Sequence, residues 1–440
     1  MGINERLAEI ERSVESLRGN GQDPRNLWFE AIHSPTEATL NGRSTMLFGT
    51  NNYLGLTFDP RCVQAAAGAT RMEGSGTTGS RIANGSYSGH TALEAEIAEF
   101  YNKRSAVVFS TGYVANIGIL SGLPTHGDYL LIDADSHASI YDGCKMSDAQ
   151  TVRFRHNSPE DLAKRLRRLK DEPGDKFVVV EGIYSMLGDK APLQEFADVK
   201  REAGDGVYLI VDEAHSLGVL GETGRGLCQE ADVEDDCDFI VGTFSKSIGT
   251  VGGYCVSDME SFHALRMISR PYMFTASMTP GAIAGARAAF QIIAEQRGEQ
   301  QRLWRNCEQL YRGAQALGYE VGPQPSPVVA LILPDPPAAV GLWNRLIDAG
   351  LYTNIAIPPA TPNSLSLLRV SVSAAHSGTQ IRKALDILGK VGHELGILPD
   401  RPMPQVLSGP VKVINGGGGR AIAAKAPAEM PAKGAAVPSH

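Results

Sequence analysis

No apolar run in the sequence approaches the roughly 18 residues that a membrane-spanning helix needs, which argues against an integral membrane segment. The opening stretch, Met1–Gly21, is charged and lacks the apolar centre of a signal peptide. Gly2 follows Met1, but Arg6 occupies the place where a myristoylation signal has Ser or Thr. Basic charge is not in excess: Lys and Arg number 41 against 49 Asp and Glu, so the net charge of -8 argues against a nucleic-acid footprint. The six cysteines, Cys62, Cys144, Cys228, Cys237, Cys255 and Cys307, are scattered without a C-x-x-C pair. That disfavours a zinc site or a disulfide framework and fits reduced thiols in the cytoplasm. Two nucleotide signatures are also missing. No G-x-G-x-x-G follows an apolar run, and there is no G-x-x-x-x-G-K-[ST].

What is present is ordinary for a soluble globular chain: 42% apolar and 20% charged residues, in a length sufficient for two or three domains. The 48 glycines point to many tight turns or close backbone approaches. Leu7, Ile10, Val14 and Leu17 recur at helical spacing up to Gly19-Asn20-Gly21. Both charge signs share the polar face, so a neighbouring subunit or a second domain is a better support for this helix than a membrane. Residues 37–49 read as a hairpin turning at Asn41-Gly42. Asn51, Asn52 and Tyr53 follow in a loop, either as binding groups or as turn asparagines beside a partly buried tyrosine. Residues 74–89, GSGTTGSRIANGSYSG, read as a binding loop ahead of a helix from His90 to Tyr101.

From Ser105 the chain alternates. Short apolar runs at 106–109, 129–132, 177–180, 207–211 and 239–241 are separated by helix-patterned segments such as 158–170 and 193–203. This predicts an α/β fold with a mostly parallel sheet covered by helices on both faces. Ligands bind such sheets beyond the carboxyl ends of the strands. The residues just past the five runs are Ser110-Thr111-Gly112-Tyr113, Asp133-Ala134-Asp135-Ser136-His137, Glu181 to Ser185, Asp212-Glu213-Ala214-His215 and Thr243-Phe244-Ser245-Lys246. One polar strand end is chance, whereas five holding carboxylates, two histidines and a lysine suggest a single site. Helices are expected at 278–294 and 299–317, followed by a strand, helix, strand and helix at 328–332, 340–349, 366–371 and 380–391. The expected organisation is an N-terminal helix and hairpin arm (1–46), a large cofactor-binding domain (47–290), a smaller α+β C-terminal domain (291–398) and a disordered tail (399–440).

These strand ends suit one cofactor. A lysine amine forms a Schiff base with the aldehyde of pyridoxal 5'-phosphate while a carboxylate faces its pyridinium nitrogen. Lys246 and Asp212 are of the right types. A phosphate wants amide and hydroxyl donors at a helix start, which Ser110, Thr111, Gly112 and Tyr113, with Thr243 and Ser245, supply. His137 can stack on the ring and His215 can reach its hydroxyl. Singly, each has a plainer reading: Asp212 as a helix cap, a histidine as a structural hydrogen-bonder, Lys246 as a surface charge. Neither histidine has companions at spacings that would make a metal site.

At these residues the chain resembles the α-oxoamine synthase family, pyridoxal-phosphate enzymes of the aspartate-aminotransferase fold type (fold type I). The resemblance spans about Leu47 to Leu395 and rests on NNYLGL, STGYVAN, DADSHASIYDG, EGIYSMLGD, VDEAHSLG and GTFSKSIGTVGG. VRFRHNS, RPYMFTAS and PPATP followed by LLRVSVSAAH are similar to the branch that uses L-serine. The resemblance implies a homodimer with active sites at its interface. It implies a decarboxylative Claisen condensation of L-serine with a long-chain acyl-CoA (palmitoyl-CoA) to 3-oxosphinganine, carbon dioxide and CoA, with glycine or alanine and another acyl thioester as the alternative. Lys246 would carry the cofactor and remove the α-proton, with Asp212 at the ring nitrogen, His215 at the ring hydroxyl and His137 stacked. Gly112, Tyr113, Thr243 and Ser245 would hold the phosphate, joined by Thr275 from the other subunit. Ser185 and Asn52 would line the substrate side, and Arg369 would bind the carboxylate with its planar fork. On local grounds Arg369 is a surface arginine on an edge strand. That branch has an arginine directly before PPATP, helping to hold the carboxylate; here the position is Ile357. Either Arg369 suffices or the amino acid is held differently. A non-catalytic subunit of a larger transferase would lack the reactive lysine, which this chain has.

Overall fold

The computed structural model describes residues 2–18, 21, 27–295, 297–358 and 360–399. The expected helix end at Gly19-Asn20, Pro359 of the PPATP run and the expected tail from residue 400 onward lie outside the described residues. The first helix, Ile3–Arg18, leaves Ile3, Leu7 and Ile10 exposed. A small sheet follows, made of β1 (Ala31–Ser34), β2 (Glu37–Leu40) and β3 (Arg43–Leu47). Asn41 and Gly42 both have positive φ, the backbone that a two-residue hairpin turn demands.

The central sheet has seven strands: β4 (Ser105–Phe109), β5 (Tyr129–Asp133), β6 (Gln150–Phe154), β7 (Lys176–Glu181), β8 (Val207–Asp212), β9 (Phe239–Thr243) and β10 (Gly253–Ser257). Their spatial order is β4-β10-β9-β8-β7-β5-β6. All are mutually parallel except β10, which runs antiparallel between β4 and β9. Successive residues feed opposite faces. Ala106, Val108, Val178, Val180, Leu209 and Val211 enter one apolar core, while Val107, Phe109, Phe177, Val179 and Ile210 enter the other. Burial on both faces is why these strands read as unbroken apolar runs.

Two strands escaped that pattern. β6 is an edge strand with four of its five residues at least partly exposed, so it carries no apolar run. β10, which begins at Gly253 and was not among the expected runs, is fully buried. It packs close to the start of the helix Gly112–Leu120: a Cβ added at Gly253 would lie 2.5 Å from Gly112 N and 2.5 Å from Thr111 O.

The C-terminal part contains β11 (Glu320–Val321), β12 (Val328–Leu333), β13 (Leu351–Tyr352), β14 (Asn354–Ala356) and β15 (Ser366–Ser371). β11, β12, β15 and β14 form an antiparallel sheet, while β13 joins β3 in parallel. Helices Gly298–Leu317, Pro336–Asp348 and Gly378–Glu394 pack there. The chain ahead of the central sheet is therefore stitched to the chain far beyond it. Among the described residues no helix is long and apolar enough to cross a membrane.

Gly253→Ala is expected to destabilise the chain by about 1–3 kcal/mol through overpacking against backbone that cannot move aside. A chemical-denaturation midpoint equal to that of the parent chain would contradict this close approach.

Candidate active site

The parallel strands deliver their carboxyl ends to one edge of the sheet, where a cavity of about 400 Å³ opens. Its wall takes residues from all five polar strand ends. Thr111, Gly112 and Tyr113 come from beyond β4, and His137 from beyond β5. Glu181 ends β7; Asp212 ends β8, with Ala214 and His215 following; Thr243, Ser245 and Lys246 come from β9 and its exit. Among the described residues no cluster of three or more His, Cys, Asp or Glu could hold a metal ion.

Asp212 is buried, and a buried carboxylate must be hydrogen-bonded. Asn116 Nδ2 donates to Oδ2 at 2.7 Å and the Ala214 amide donates to Oδ1 at 2.9 Å. Asn116 also donates to Ser139 Oγ at 2.9 Å, and Ser139 Oγ lies 2.7 Å from His137 Nδ1. Glu181 sits opposite Asp212 in the β7–β8 register and accepts from the His137 amide. Burial, then the charge of Asp212, push the Glu181 carboxyl well above its usual range. His137 caps the helix Ala138–Lys145 and stands open in the cavity, its imidazole held below its usual range by burial against the pull of Asp212.

Lys246 stands in the turn between β9 and β10 with no ion-pair partner among the described residues. Burial pushes its amine down to about 8, against the raising charges of Asp212 and Glu181. More of it is therefore in the nucleophilic free form than for an ordinary lysine. In the same cavity wall, the helix Gly112–Leu120 opens with Thr111 as its cap. The first amides of a helix have no intrahelical partner and attract an anion. A Cβ at Gly112 would stand 2.6 Å from Thr243 Cβ, so the glycine lets these amides meet the Thr243 and Ser245 hydroxyls, themselves 2.9 Å apart. A phosphate-binding corner, a carboxylate, an amine and two imidazoles in one cavity fit a compact phosphorylated aldehyde ring.

The remaining expected residues lie off this wall. Arg369 is neither exposed nor on an edge: β15 is paired on both sides by β12 and β14, and the side chain is buried. It donates to Ser185 O at 2.7 Å, Asn51 Oδ1 at 2.9 Å and Tyr53 OH at 3.2 Å. Ser185 thus meets Arg369 through its carbonyl, and its side chain is not in the cavity wall. Asn52 donates to Thr57 Oγ1 at 2.7 Å, and its buried Oδ1 has no partner among the described residues. Tyr53, expected to be partly buried, is wholly so. Ile357 is half-buried against the core. Thr275 lies by a separate small crevice with Arg81, His90 and Tyr272, beside the exposed Phe274. The 74–89 loop packs on this segment, through Ser80 paired with Ala276 and Thr77 bonded to Ser277, and does not line the cavity.

Sequence reasoning passed over Asn116 and Ser139 as site residues, and gave Glu181, named among the strand ends, no role of its own. Asn116 did carry a signal, being the only amide side chain in the otherwise apolar helix GYVANIGIL. A further cluster lies beside the site. His156 bridges Asp133 (2.8 Å) and Asp189 (2.7 Å), joining the end of β5 to the loop beyond β7. Burial alone would lower the His156 imidazole, but the two carboxylates push it up to about 10.

Comparison with known proteins gives four concordant matches. Residues 43–388 match the family model described as aminotransferase class I and II. A serine palmitoyltransferase of Caulobacter vibrioides is 54% identical over 398 residues, 90% of this chain and 98% of the relative. A serine palmitoyltransferase of Sphingomonas paucimobilis is 47% identical over 394 residues, 89% of this chain and 92% of the relative. A solved structure of a serine palmitoyltransferase from S. paucimobilis with bound PLP–myriocin aldimine superposes with a TM-score of 0.88 at 44% identity, covering 90% of this chain and 100% of the other.

The folded chain keeps the His156 proton over a pH range in which the unfolded chain releases it. The stabilisation is therefore full below about pH 6.5 and lost as pH rises through about 10. His156→Gln is expected to cost about 1–3 kcal/mol at pH 6, less than a fully buried pair. In urea titrations the gap between parent and variant should shrink towards pH 10; a gap independent of pH would refute the bridge.

Proposed function

The chain belongs to the class I and II aminotransferase family, and from that membership we propose that it is a pyridoxal-phosphate-dependent acyltransferase joining L-serine to palmitoyl-CoA. The products are 3-oxosphinganine, carbon dioxide and CoA. The observation that carries this reading is the single cavity into which five strand ends put Lys246, Asp212, His137, His215 and a phosphate corner. The chain's identity of 54% and 47% to two serine palmitoyltransferases supports the choice of substrates.

Pyridoxal phosphate, when bound, supplies an electron sink for negative charge at the amino acid's α-carbon. Lys246 would hold the cofactor's aldehyde through Nζ, and its amine, with its affinity for protons lowered to about 8, would serve as the base that takes the proton from the amino acid's α-carbon. That places its working range near neutrality, where general-base catalysis is most effective. Asp212, fixed by Asn116 and Ala214, would pair with the ring nitrogen, and His215 with the ring oxygen. His137 would cover the ring, and Gly112, Tyr113, Thr243 and Ser245 would hold the phosphate.

Arg369 binds the substrate carboxylate. Its contacts with Ser185, Asn51 and Tyr53 use three of its five N–H groups, which leaves one on each terminal nitrogen for a ligand. Ile357 offers no second charge to that carboxylate, so Arg369 acts there without help from this position. Asn52 and Ser185 stand on the substrate side. Thr275 completes the phosphate corner of a second copy of the chain; its position off the wall of its own cavity, beside the exposed Phe274, supports a homodimer. The six buried free cysteines support action in the cytoplasm.

Purified protein is expected to show a visible absorption band from the bound cofactor, and Lys246→Ala to lose it together with about 10²–10⁴-fold in condensation rate. A parent chain without such a band would overturn the cofactor assignment. L-serine should shift the band and, with palmitoyl-CoA, release CoA. If glycine or L-alanine does so and serine does not, the amino acid assignment fails while the chemistry stands. Arg369→Lys, which keeps charge but loses the fork, should raise KM for serine more than it lowers kcat.

A further inference from the structure

Tyr53 joins two groups that serve different ligands in the reading above. Its hydroxyl lies 2.7 Å from His215 Nδ1, 3.2 Å from Arg369 Nη2 and 3.3 Å from Asn51 Oδ1. A guanidinium has no lone pair to offer, so Arg369 can only donate to the phenol oxygen. The hydroxyl proton then has two possible acceptors. Asn51 Oδ1 is the more distant and already accepts from Arg369 Nη1 at 2.9 Å. His215 Nδ1 is at a short O–H···N distance and has no other partner among the described residues. A phenol that accepts from a cation is polarised into a better donor, which favours the shorter contact. Burial, with the nearby charges of Lys246 and Arg369, holds the His215 imidazole well below its usual range, so one ring nitrogen alone carries hydrogen.

We infer that Tyr53 is a positioning residue: by donating to Nδ1 it fixes His215 as the tautomer with its hydrogen on Nε2. His215 lines the cavity, and its second nitrogen is thereby a donor rather than an acceptor. A donor suits the ring oxygen of pyridoxal phosphate, and in this respect the inference rests on the proposed function. The opposite tautomer would turn a lone pair towards that oxygen and repel it. The same phenol oxygen is one of the three acceptors that orient Arg369. The group facing the cofactor oxygen and the group facing the substrate carboxylate are thus set by one side chain.

Full-length holoenzyme labelled with ¹⁵N-histidine reads the tautomer directly, with His215 assigned by the signal lost in His215→Gln. The expected parent spectrum has a protonated Nε2 and a bare Nδ1. Tyr53→Phe should abolish that preference, giving a mixture of tautomers. Asn51→Ala should leave it intact, because Asn51 is not the acceptor of the phenol proton. A parent His215 protonated on Nδ1, unchanged His215 signals in Tyr53→Phe, or a tautomer switch in Asn51→Ala would each overturn the inference. The parent spectrum and the Asn51 variant keep it open to refutation if Tyr53→Phe does not fold. Because these signals need no turnover, failure of the condensation assay with the Nε2–H pattern present would count against the proposed function alone.

Discussion

Asp212 is a carboxylate withdrawn from water at the end of a central strand, and the need to hydrogen-bond it organises the site. Its two oxygens accept hydrogen bonds from Asn116 Nδ2 and from the Ala214 amide. Asn116 stands one helical turn into the helix Gly112–Leu120, whose first amides open onto the cavity. The same amide group reaches Ser139, and through Ser139 the ring of His137. One buried carboxylate therefore fixes the relative placement of three strand ends: the start of the helix Gly112–Leu120, the His137 imidazole and Asp212 itself. The positions of these groups are mutually dependent.

A second network centres on Arg369. Arg369 gathers the Asn51–Tyr53 loop, the carbonyl of Ser185 beyond β7 and, through Tyr53, His215 beyond β8. Glu181 lies in register with Asp212 and holds the amide of His137. Burial, and then the charge of Asp212 beside it, hold the Glu181 proton more tightly than an ordinary carboxyl would. Lys246 faces both without being paired to either, which leaves its amine available.

The parallel-sheet architecture and the five polar strand ends were legible in the sequence because both follow from local pattern. Runs buried on both faces are continuously apolar, and parallel strands end on one edge. β6 and β10 were not legible: one is a polar edge, and the other opens with a glycine directly after a tight turn. Asn116 and Asp212 are separated by 96 positions, and Tyr53 and His215 by 162; no spacing rule connects such pairs. Tyr53 also looked like a loop residue, but it is wholly buried, with its hydroxyl held against Arg369 of β15 and His215 beyond β8. The roles of Ser185, Asn52, Thr275 and Arg369 came from family resemblance alone. Arg369 in particular looked like an exposed side chain until the strand carrying it was seen to have a partner on each side.

The single antiparallel strand of the central sheet has a consequence for Lys246. Because β10 returns at once beside β9, the lysine occupies a short connection clamped at both ends: Phe244 N donates to Gly252 O, Thr250 N to Phe244 O and Gly249 N to Lys246 O. The peptide chain there has little freedom to drift, and the reach of the amine is left to the torsions of a four-carbon tether. Anchorage and travel are thereby divided between backbone and side chain. A residue inserted in this turn would disturb the anchorage, whereas a shortened side chain would curtail the travel, so the two demands on one lysine are separable by length alone.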